Sequence, residues 1–381
     1  MYRGGPELAG GGLPWPNLAQ ASLLSAAIGP DAGVRESFQA WKGVTNIEAP
    51  VDGGTYRLLP LLYSRLAACG VDDPMMGRLK GVYRMSWYKN HELFRRSAPA
   101  IAALEAAGVQ TMLLKGAPLA MAHYPSHALR PMGDLDVVVR SSQAEKARAT
   151  LASLEWTSSS KHPQRELPDL HAQDLHHPSG AEIDLHWHCL REAPSDAMDD
   201  WFWASAKPFI FEHVTTLRPA ATPMLLQIIL HGLRSNDEPP IRWISDAAAI
   251  IGSNGDDIDW AELCEVAIKY RMAYRLSLGL DYLRTEYDLP IPNSVVTRLK
   301  AQGVSLIERV ENIVYLGPST RLYQPTLYPL VDYWRFKRIQ PMLPFVTGFP
   351  NYLCRRWQLS SPWQIPARAF SALRRRRRTV R

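Results

Sequence analysis

The spacing of hydrophobic positions changes three times along the chain and divides it into four zones. Residues 17–92 place apolar side chains at helical spacing, for example in TYRLLPLLYSRLAACG, where Gly70 predicts a helix end. Residues 93–196 alternate short apolar runs, typical of strands, with helical segments. Residues 197–290 return to helical spacing, as in TPMLLQIILHGL. Residues 291–381, rich in Pro, Trp, Tyr and Arg, predict a helical or irregular region.

The second zone predicts a small mixed β-sheet covered by helices, which makes the protein α+β with helical regions on either side. ELFRRSAPAIAALEAAG predicts a helix that ends at Gly108, and the strand VQTMLLKG then ends at Lys115 and Gly116. GDLDVVVR predicts a further strand. LHAQDLHHPSGAEIDLHWH predicts a hairpin that turns at residues 178–180.

Two acidic residues, Asp134 and Asp136, stand at the start of the GDLDVVVR strand. Residues two apart on a strand point to the same face, so both carboxylates project side by side while Leu135 turns into the core. Adjacent carboxylates repel unless a cation lies between them, and Mg²⁺ takes carboxylate oxygens together with substrate phosphates. The alternative is a pair of solvated turn aspartates that follow Pro131 and Gly133.

The segment AEIDLHWH predicts a strand with one polar face and one apolar face. The polar face carries Glu182, Asp184, His186 and His188, and the apolar face carries Ile183, Leu185 and Trp187. Beside the Asp134 strand, Asp184 becomes the natural third carboxylate of a metal site. The alternative is a sheet edge that faces solvent.

The histidines of this strand allow two readings. His186 and His188 could form a metal pair for Zn²⁺, Mn²⁺ or Fe, as in metal-dependent phosphohydrolases, or His186 could orient Asp184. Further along, His231 lies in the apolar helix LLQIILHGL, which favours a core histidine, with a functional histidine as the alternative. Arg242 and Asp246 are four residues apart, so they can pair on one helical turn.

Composition and charge exclude several classes of protein. The net charge of +6 is concentrated in the arginine-rich tail at residues 374–381, so the core itself does not indicate a nucleic-acid binder. Such a tail is most often a solvated, disordered run of charge, and the alternative is that it contacts anionic lipid, nucleic acid or a partner protein. The four scattered cysteines predict neither a zinc knuckle nor a disulfide framework.

The location that the sequence predicts is cytoplasmic, with the tail allowing peripheral attachment to a membrane. Residues 1–16 lack the apolar core of a signal peptide and predict a disordered lead-in, and no apolar run reaches the ~20 residues needed to cross a bilayer. The chain contains neither the P-loop motif of ATPases nor the G-x-S-x-G motif of serine hydrolases.

Taken together, the motifs from residue 90 to residue 250 resemble those of the uncharacterised nucleotidyltransferase-like family of bacterial proteins. This family is a branch of the polymerase-beta-type nucleotidyltransferase superfamily. Its pattern joins a strand ending in Lys-Gly, a Tyr-Pro pair, an Arg, an Asp-x-Asp strand, a later Asp-Leu-His-Trp, and a helical half with a His and an Arg-Trp-x-x-Asp segment. The matching positions here are Lys115, Gly116, Tyr124, Pro125, Arg130, Asp134, Asp136, Asp184, His186, Trp187, His231, Arg242, Trp243 and Asp246.

The resemblance implies a nucleotidyltransferase core at residues 93–196 that moves a nucleoside monophosphate from an NTP to an acceptor. Asp134, Asp136 and Asp184 would bind Mg²⁺ or Mn²⁺ and carry catalysis, and Asp184 could help to deprotonate the acceptor. ATP is the expected nucleotide, and Gly116 would let backbone amides approach its phosphates. The remaining residues implied in nucleotide binding are Lys115, Arg130, His186 and Arg242.

One departure from the superfamily concerns the residue after Gly116, where a Gly or Ser is usual and this chain has Ala117. The missing hydroxyl leaves open a non-catalytic nucleotide-binding or scaffold protein with the same fold. The resemblance also points to the biosynthesis of peptide natural products or surface polysaccharides as a setting. The acceptor is not indicated by any residue.

Overall fold

The computed structural model describes residues 14–46, 49–158, 171–236, 238–317, 324–339, 345–357 and 359–371. The fold is α+β, with a seven-stranded mixed sheet between layers of helices, as the sequence predicts. The basic tail at 374–381 lies outside the described residues, as do residues 1–13 of the predicted lead-in. Residues 14–16 differ from that prediction, because Trp15 packs edge-on against Trp243 and the Trp243 indole nitrogen donates to the Pro14 carbonyl oxygen.

Five helices precede the sheet: α1 (Leu18–Ile28), α2 (Val34–Val44), α3 (Gly53–Tyr56), α4 (Leu59–Ala68) and α5 (Met76–Ala106). Gly70 follows α4 with a φ of +59°, a conformation that ends a helix and suits glycine. The boundary predicted at residue 92 lies inside α5, which is one continuous helix of 31 residues. This helix therefore joins the N-terminal region to the sheet without a linker.

The sheet contains β1 (Thr111–Leu113), β2 (Leu135–Val139), β3 (Thr157–Ser158), β4 (Ala172–His176), β5 (Glu182–His186), β6 (Lys207–Phe211) and β7 (Val214–Arg218). Their spatial order is β3-β4-β5-β2-β1-β7-β6. β1 runs antiparallel to β2, whereas β5 runs parallel to β2. The short helices α6 (Gly116–Ala122), α7 (Ala144–Ala152) and α8 (Asp196–Ser205) lie in the connections.

The hairpin β6–β7 corrects the prediction of helix throughout residues 197–290. Its second strand pairs in parallel with β1, so the sheet continues beyond the predicted end of the core at residue 196. The Thr111 and Thr216 hydroxyl oxygens lie 2.6 Å apart across this junction. Its turn contains neither glycine nor asparagine, and Glu212 takes the unusual φ of +54° there.

The two faces of the sheet pack into different hydrophobic cores. Met112 and Val138 join a core shared with α1, α4 and the helices that follow the sheet. Leu113, Val137 and Ile183 point the other way, into a core with α5 and α7. Alternation along each strand therefore decides which side chains face the helical body that covers the first side.

After the sheet, the described residues include the helices α9 (Ala221–Gly232), α10 (Arg242–Asn254), α11 (Trp260–Lys269), α12 (Ala273–Tyr287), α13 (Asn293–Lys300), α14 (Leu306–Leu316), α15 (Gln324–Ile339) and α16 (Phe345–Trp357). Those up to α13 share the core that covers the first face of the sheet. Within the described ranges, every helix is too short or too polar to cross a membrane.

Candidate functional site

The strands β2 and β5 bring two carboxylates side by side. Their parallel register pairs Asp136 with Asp184 and Val138 with His186. Because Ile183, Leu185 and Trp187 fill the opposite core, as the alternation predicts, Asp184 and His186 face the same side as Asp136. The sheet thus assembles these residues from two strands that are far apart in the chain.

A histidine and a lysine neutralise this pair. His186 Nε2 lies 2.8 Å from Asp184 Oδ2 and 3.1 Å from Asp136 Oδ1, and Lys115 Nζ donates to Asp136 Oδ1 at 2.6 Å. Burial alone would lower the pKa of His186, but the Asp184 and Asp136 carboxylates outweigh it and raise that pKa to about 9. His186 is therefore protonated at neutral pH.

The pKa of Asp136 also depends on two opposing effects, burial and neighbouring charges. Burial alone would raise it, but Lys115 and His186 hold the pKa of Asp136 well below its usual range. Asp184 responds likewise, since the positive charges of His186 and Lys115 lower its pKa against the effect of burial. Both acids are ionised near neutrality and able to bind a cation.

The two carboxylates of this cluster fit a divalent cation, whereas the protonated His186 offers no lone pair to a metal. Among the described residues, ligand atoms of Asp136, Asp184 and His186 all lie within 4.8 Å of one another. Asp184 Oδ1 is buried and has no hydrogen-bond partner in that part of the chain, so one carboxylate oxygen is left for a ligand. Asp134 is exposed, immediately precedes β2, and does not belong to this group.

Lys115 and Gly116 form a strained turn between β1 and α6. Lys115 has a φ of +44°, which is unusual for a residue with a side chain and is typical of functional turns. A Cβ atom on Gly116 would lie 2.9 Å from Met132 Sδ, so a larger residue here would have to displace the Met132 side chain. Ala117 is fully buried in the core on the far side of the sheet and offers nothing to a ligand at this turn.

The loop that leads to Asp134 is held by a buried asparagine of α5. Asn90 Nδ2 donates to the Arg130 carbonyl oxygen at 2.9 Å, and Asn90 Oδ1 accepts from the Met132 amide at 3.0 Å. No motif of the sequence indicates this role, because the partners are backbone atoms some 40 residues away. Asn90 therefore positions the start of β2.

Arg130 and Arg242 lie in a separate ionic cluster. Arg130 forms a two-pronged ion pair with Asp246 at 2.9 and 3.0 Å, and the Tyr124 hydroxyl donates to the same carboxylate at 2.9 Å. Arg242 Nε lies 3.8 Å from Asp246, as their spacing predicts, and its Nη1 donates to the Pro131 carbonyl oxygen. Burial and the charge of Arg130 lower the pKa of Arg242 to about 10.

A cavity of about 270 Å³ opens beside the paired carboxylates. Three of the predicted site residues line it: Lys115, Asp184 and His186. The sequence did not indicate the other chemically active residues of its wall, which are His171, Arg191, Gln227, Arg234 and Tyr328. His231, predicted to be a core histidine, instead faces this cavity, because the polar end of α9 lies above the sheet.

Signals for these missed residues are weak in the sequence. Arg191 follows the Asp-Leu-His-Trp motif by four residues, and Arg234 follows His231 by three, so proximity to a motif was the only available clue. Tyr328 comes from α15, more than 140 residues beyond β5. Such a contact depends on how the helices pack and has no local pattern.

The structure separates the two histidines that were considered as a metal pair. His188 Nδ1 lies 2.6 Å from Asp199 Oδ2 of α8, and in the described residues these two group with Asp196 and not with His186. β5 ends at His186, so strand alternation no longer governs His188. A single metal site that uses both imidazoles is therefore not formed, whereas His186 does contact Asp184.

Comparison with known proteins identifies the family of this chain. The family model described as an uncharacterised nucleotidyltransferase matches residues 55–287, which is more than half of the chain. A solved structure with similarity is an antigenic nucleotidyltransferase-like protein from Paracoccidioides brasiliensis, at 14% sequence identity and a TM-score of 0.35 over 56% of this chain and 94% of that one. None of the curated proteins matches. On the family match, this chain belongs to the uncharacterised nucleotidyltransferase family.

Proposed function

We propose that this protein is a metal-dependent nucleotidyltransferase that moves a nucleoside monophosphate from an NTP to an acceptor and releases pyrophosphate. The observation that carries the proposal is the pair Asp136–Asp184, held in register on one face beside a cavity, where Asp184 Oδ1 has no hydrogen-bond partner among the described residues. Family membership supports the same reaction class. Mg²⁺ or Mn²⁺ and ATP are the proposed metal and nucleotide.

Asp136 and Asp184 would hold the metal, and the exposed Asp134 would join them when the triphosphate arrives. When bound, such an ion neutralises charge on the triphosphate and favours attack at the α-phosphorus. His186 contacts both buried acids and keeps them oriented. Lys115, which is paired with Asp136 at the cavity wall, would contact the triphosphate, and Gly116 leaves room for its close approach.

In the transfer step, Asp184 would accept the proton of the acceptor hydroxyl. The acceptor oxygen then bonds to the α-phosphorus, and the bond from that phosphorus to the pyrophosphate oxygen breaks. Charge is conserved, because the proton remains on Asp184 while the leaving group takes the electron pair. Arg130 would act indirectly by holding Asp246 and thereby Arg242 beside the loop before β2.

The test is pyrophosphate release by the purified full-length protein with each of the four NTPs, Mg²⁺ or Mn²⁺, and a panel of sugar, peptide and nucleic-acid acceptors. We expect Asp136→Asn and Asp184→Asn to lose at least about 10²-fold in rate, since each removes a charge that acts in the transition state. Asp200→Asn is the matched control, because Asp200 is an exposed acid of α8 that pairs with Arg140. Equal rates in all three variants would contradict the proposal.

A second candidate is a nucleotide-binding member of the family without turnover. The specific observation in its favour is that Ala117 is buried away from the turn, while Lys115 is already engaged by Asp136. Saturable binding of ATP with no pyrophosphate release from any acceptor would support this candidate over the first. A setting in peptide or polysaccharide biosynthesis is part of the first proposal and is tested by the acceptor panel.

A further inference from the structure

The cavity beside Asp184 carries basic residues that the proposed transfer step does not use. Arg191 follows β5, His231 lies in the last turn of α9 and Arg234 follows that helix, and all three line the same cavity. Guanidinium groups bind phosphate oxygens with paired hydrogen bonds, and a neighbouring imidazole adds a further donor. The cavity therefore combines space for a ligand with the donor types that phosphate recognition needs.

Arg234 is oriented by a buried glutamate. Its Nε and Nη2 donate to the two oxygens of Glu192 at 2.7 and 2.8 Å, so this ion pair does not use Nη1. Arg275 Nη2 donates to the same carboxylate at 2.9 Å. One buried acid is thus shared by two guanidiniums, so the group as a whole is positive. Because the fork of Arg234 is already immobilised, a ligand would bind it at little entropic cost.

Arg191 is held in the same manner by an acid of α15. Its Nη2 lies 2.5 Å from Asp332 Oδ2, and Arg356 Nη1 donates to that oxygen at 3.0 Å. Tyr315 donates to the other oxygen of Asp332 at 3.1 Å. A second shared acid therefore leaves a second positive group at the cavity. Two histidines of the cavity are affected by these charges. Burial and the surrounding cations hold the pKa values of His171 and His231 well below normal.

We propose that Arg191, Arg234 and His231 form a phosphate-binding subsite in the cavity that Asp184 also lines. The proposal deepens the proposed function, on which it rests for the identity of the ligand, since a phosphate group there belongs either to the nucleotide or to a phosphorylated acceptor. Tyr328, which lines the cavity, and Asp332, which holds Arg191, lie beyond the residues matched by the family. The C-terminal helices thus support a subsite whose three residues lie within the matched range.

The test is calorimetric titration of the full-length protein with inorganic phosphate and with inorganic pyrophosphate, without nucleotide or metal. We expect binding that weakens on the order of 10-fold in His231→Gln, in Arg191→Gln and in Arg234→Gln, one charge-assisted contact being lost in each. Arg298→Gln is the matched control, because Arg298 is an exposed arginine with a weak ion pair to Glu265 at 3.6 Å. His231→Gln breaks none of the ion pairs described above, so it remains informative if an arginine variant fails to fold.

Absence of phosphate and pyrophosphate binding at millimolar concentration would overturn the subsite, as would unchanged affinity in His231→Gln and Arg191→Gln. The source of the phosphate is resolved by repeating the titration with ATP-saturated protein. Binding that persists indicates an acceptor phosphate, and binding that is lost indicates the phosphates of the nucleotide. The Asp136→Asn variant separates the two proposals, since it should lose turnover while it retains phosphate binding.

Discussion

At the scale of single residues, two clusters near the site bury charges against opposite charges. Asp136 contacts Lys115 and His186, and Arg130 contacts Asp246 in a pair whose side chains are each 4% exposed. Removing an ion from water is costly, so each buried group depends on its partner. The first cluster would exchange its partners for metal and nucleotide, whereas the second holds the structure that surrounds it.

Asp246→Asn should destabilise the fold by about 3–5 kcal/mol, because it leaves the Arg130 guanidinium buried without its partner. Urea unfolding measures this free energy. Glu145→Gln serves as the control, since Glu145 forms an exposed pair with Arg148 at 3.2 Å. This substitution should lower the free energy of unfolding by less than about 1 kcal/mol. If both substitutions lowered the free energy of unfolding by the same small amount, the Arg130–Asp246 pair would not stabilise the protein.

At the scale of elements, two helices carry polar groups over the paired strands. His231 lies in the last turn of α9 at the cavity, and α10 begins with Arg242 beside the loop before β2. They cross closely at Gly232, where a Cβ atom would lie 2.1 Å from Trp243 Cβ. This contact sets the distance between the helices and thereby the height of the cavity wall above the sheet.

Gly232→Ala should cost about 1–3 kcal/mol or more, because Trp243 is 3% exposed and its Cβ cannot move without shifting α10. Gly252→Ala is the matched control in α10, since nothing lies within 4 Å of an added Cβ there. The control should be neutral or more stable by up to about 1 kcal/mol, through helix propensity. Chemical denaturation would compare the two, and equal stability would argue against the close approach.

At the scale of the whole molecule, Glu192 connects segments that are distant in the chain. Its carboxylate accepts from Arg234 and from Arg275 of α12, and its carbonyl oxygen accepts from Arg335 of α15 at 2.6 Å. Arg335 in turn pairs with Glu311 of α14 at 2.7 Å. The network therefore ties the C-terminal helices to the loop after β5, which is also the loop that carries Arg191.

Glu192→Gln should lower stability at pH 7 by about 3–5 kcal/mol, since it leaves buried arginines without their shared acid. Burial alone would raise the pKa of Glu192, but Arg234 and Arg275 hold it well below its ordinary value of 4.5. A carboxyl whose pKa is lowered on folding stabilises the protein above that ordinary value, and the stabilisation is lost as the pH falls below it.

Thermal unfolding of wild type and Glu192→Gln from pH 7 to pH 3 measures this dependence. The gap between their melting temperatures should be constant down to about pH 4.5 and should narrow below it. Glu265→Gln provides the control, because Glu265 is 68% exposed and its variant should stay close to wild type at every pH. A gap that did not change with pH would show that the Glu192 charge does not contribute.

Some features of the site followed from the sequence because they depend on local periodicity. The alternation in EIDLHWH correctly predicted that Ile183, Leu185 and Trp187 are buried while Asp184 and His186 share the other face. The family resemblance was likewise confirmed over residues 55–287. The hairpin β6–β7 was not predicted, because its Glu212–His213 turn lacks the glycine or asparagine that usually indicates a hairpin.

The sequence by itself determined the faces of β2 and β5, since the direction of a side chain on a strand repeats every two residues whatever the strand packs against. Only the tertiary structure decided the register that sets Asp136 beside Asp184, the separation of His188 from His186, and the ion pair that occupies Arg130. Only it brought Arg191, Arg234 and Tyr328 to one cavity. These contacts join segments far apart in the chain, and their geometry depends on packing that no local pattern encodes.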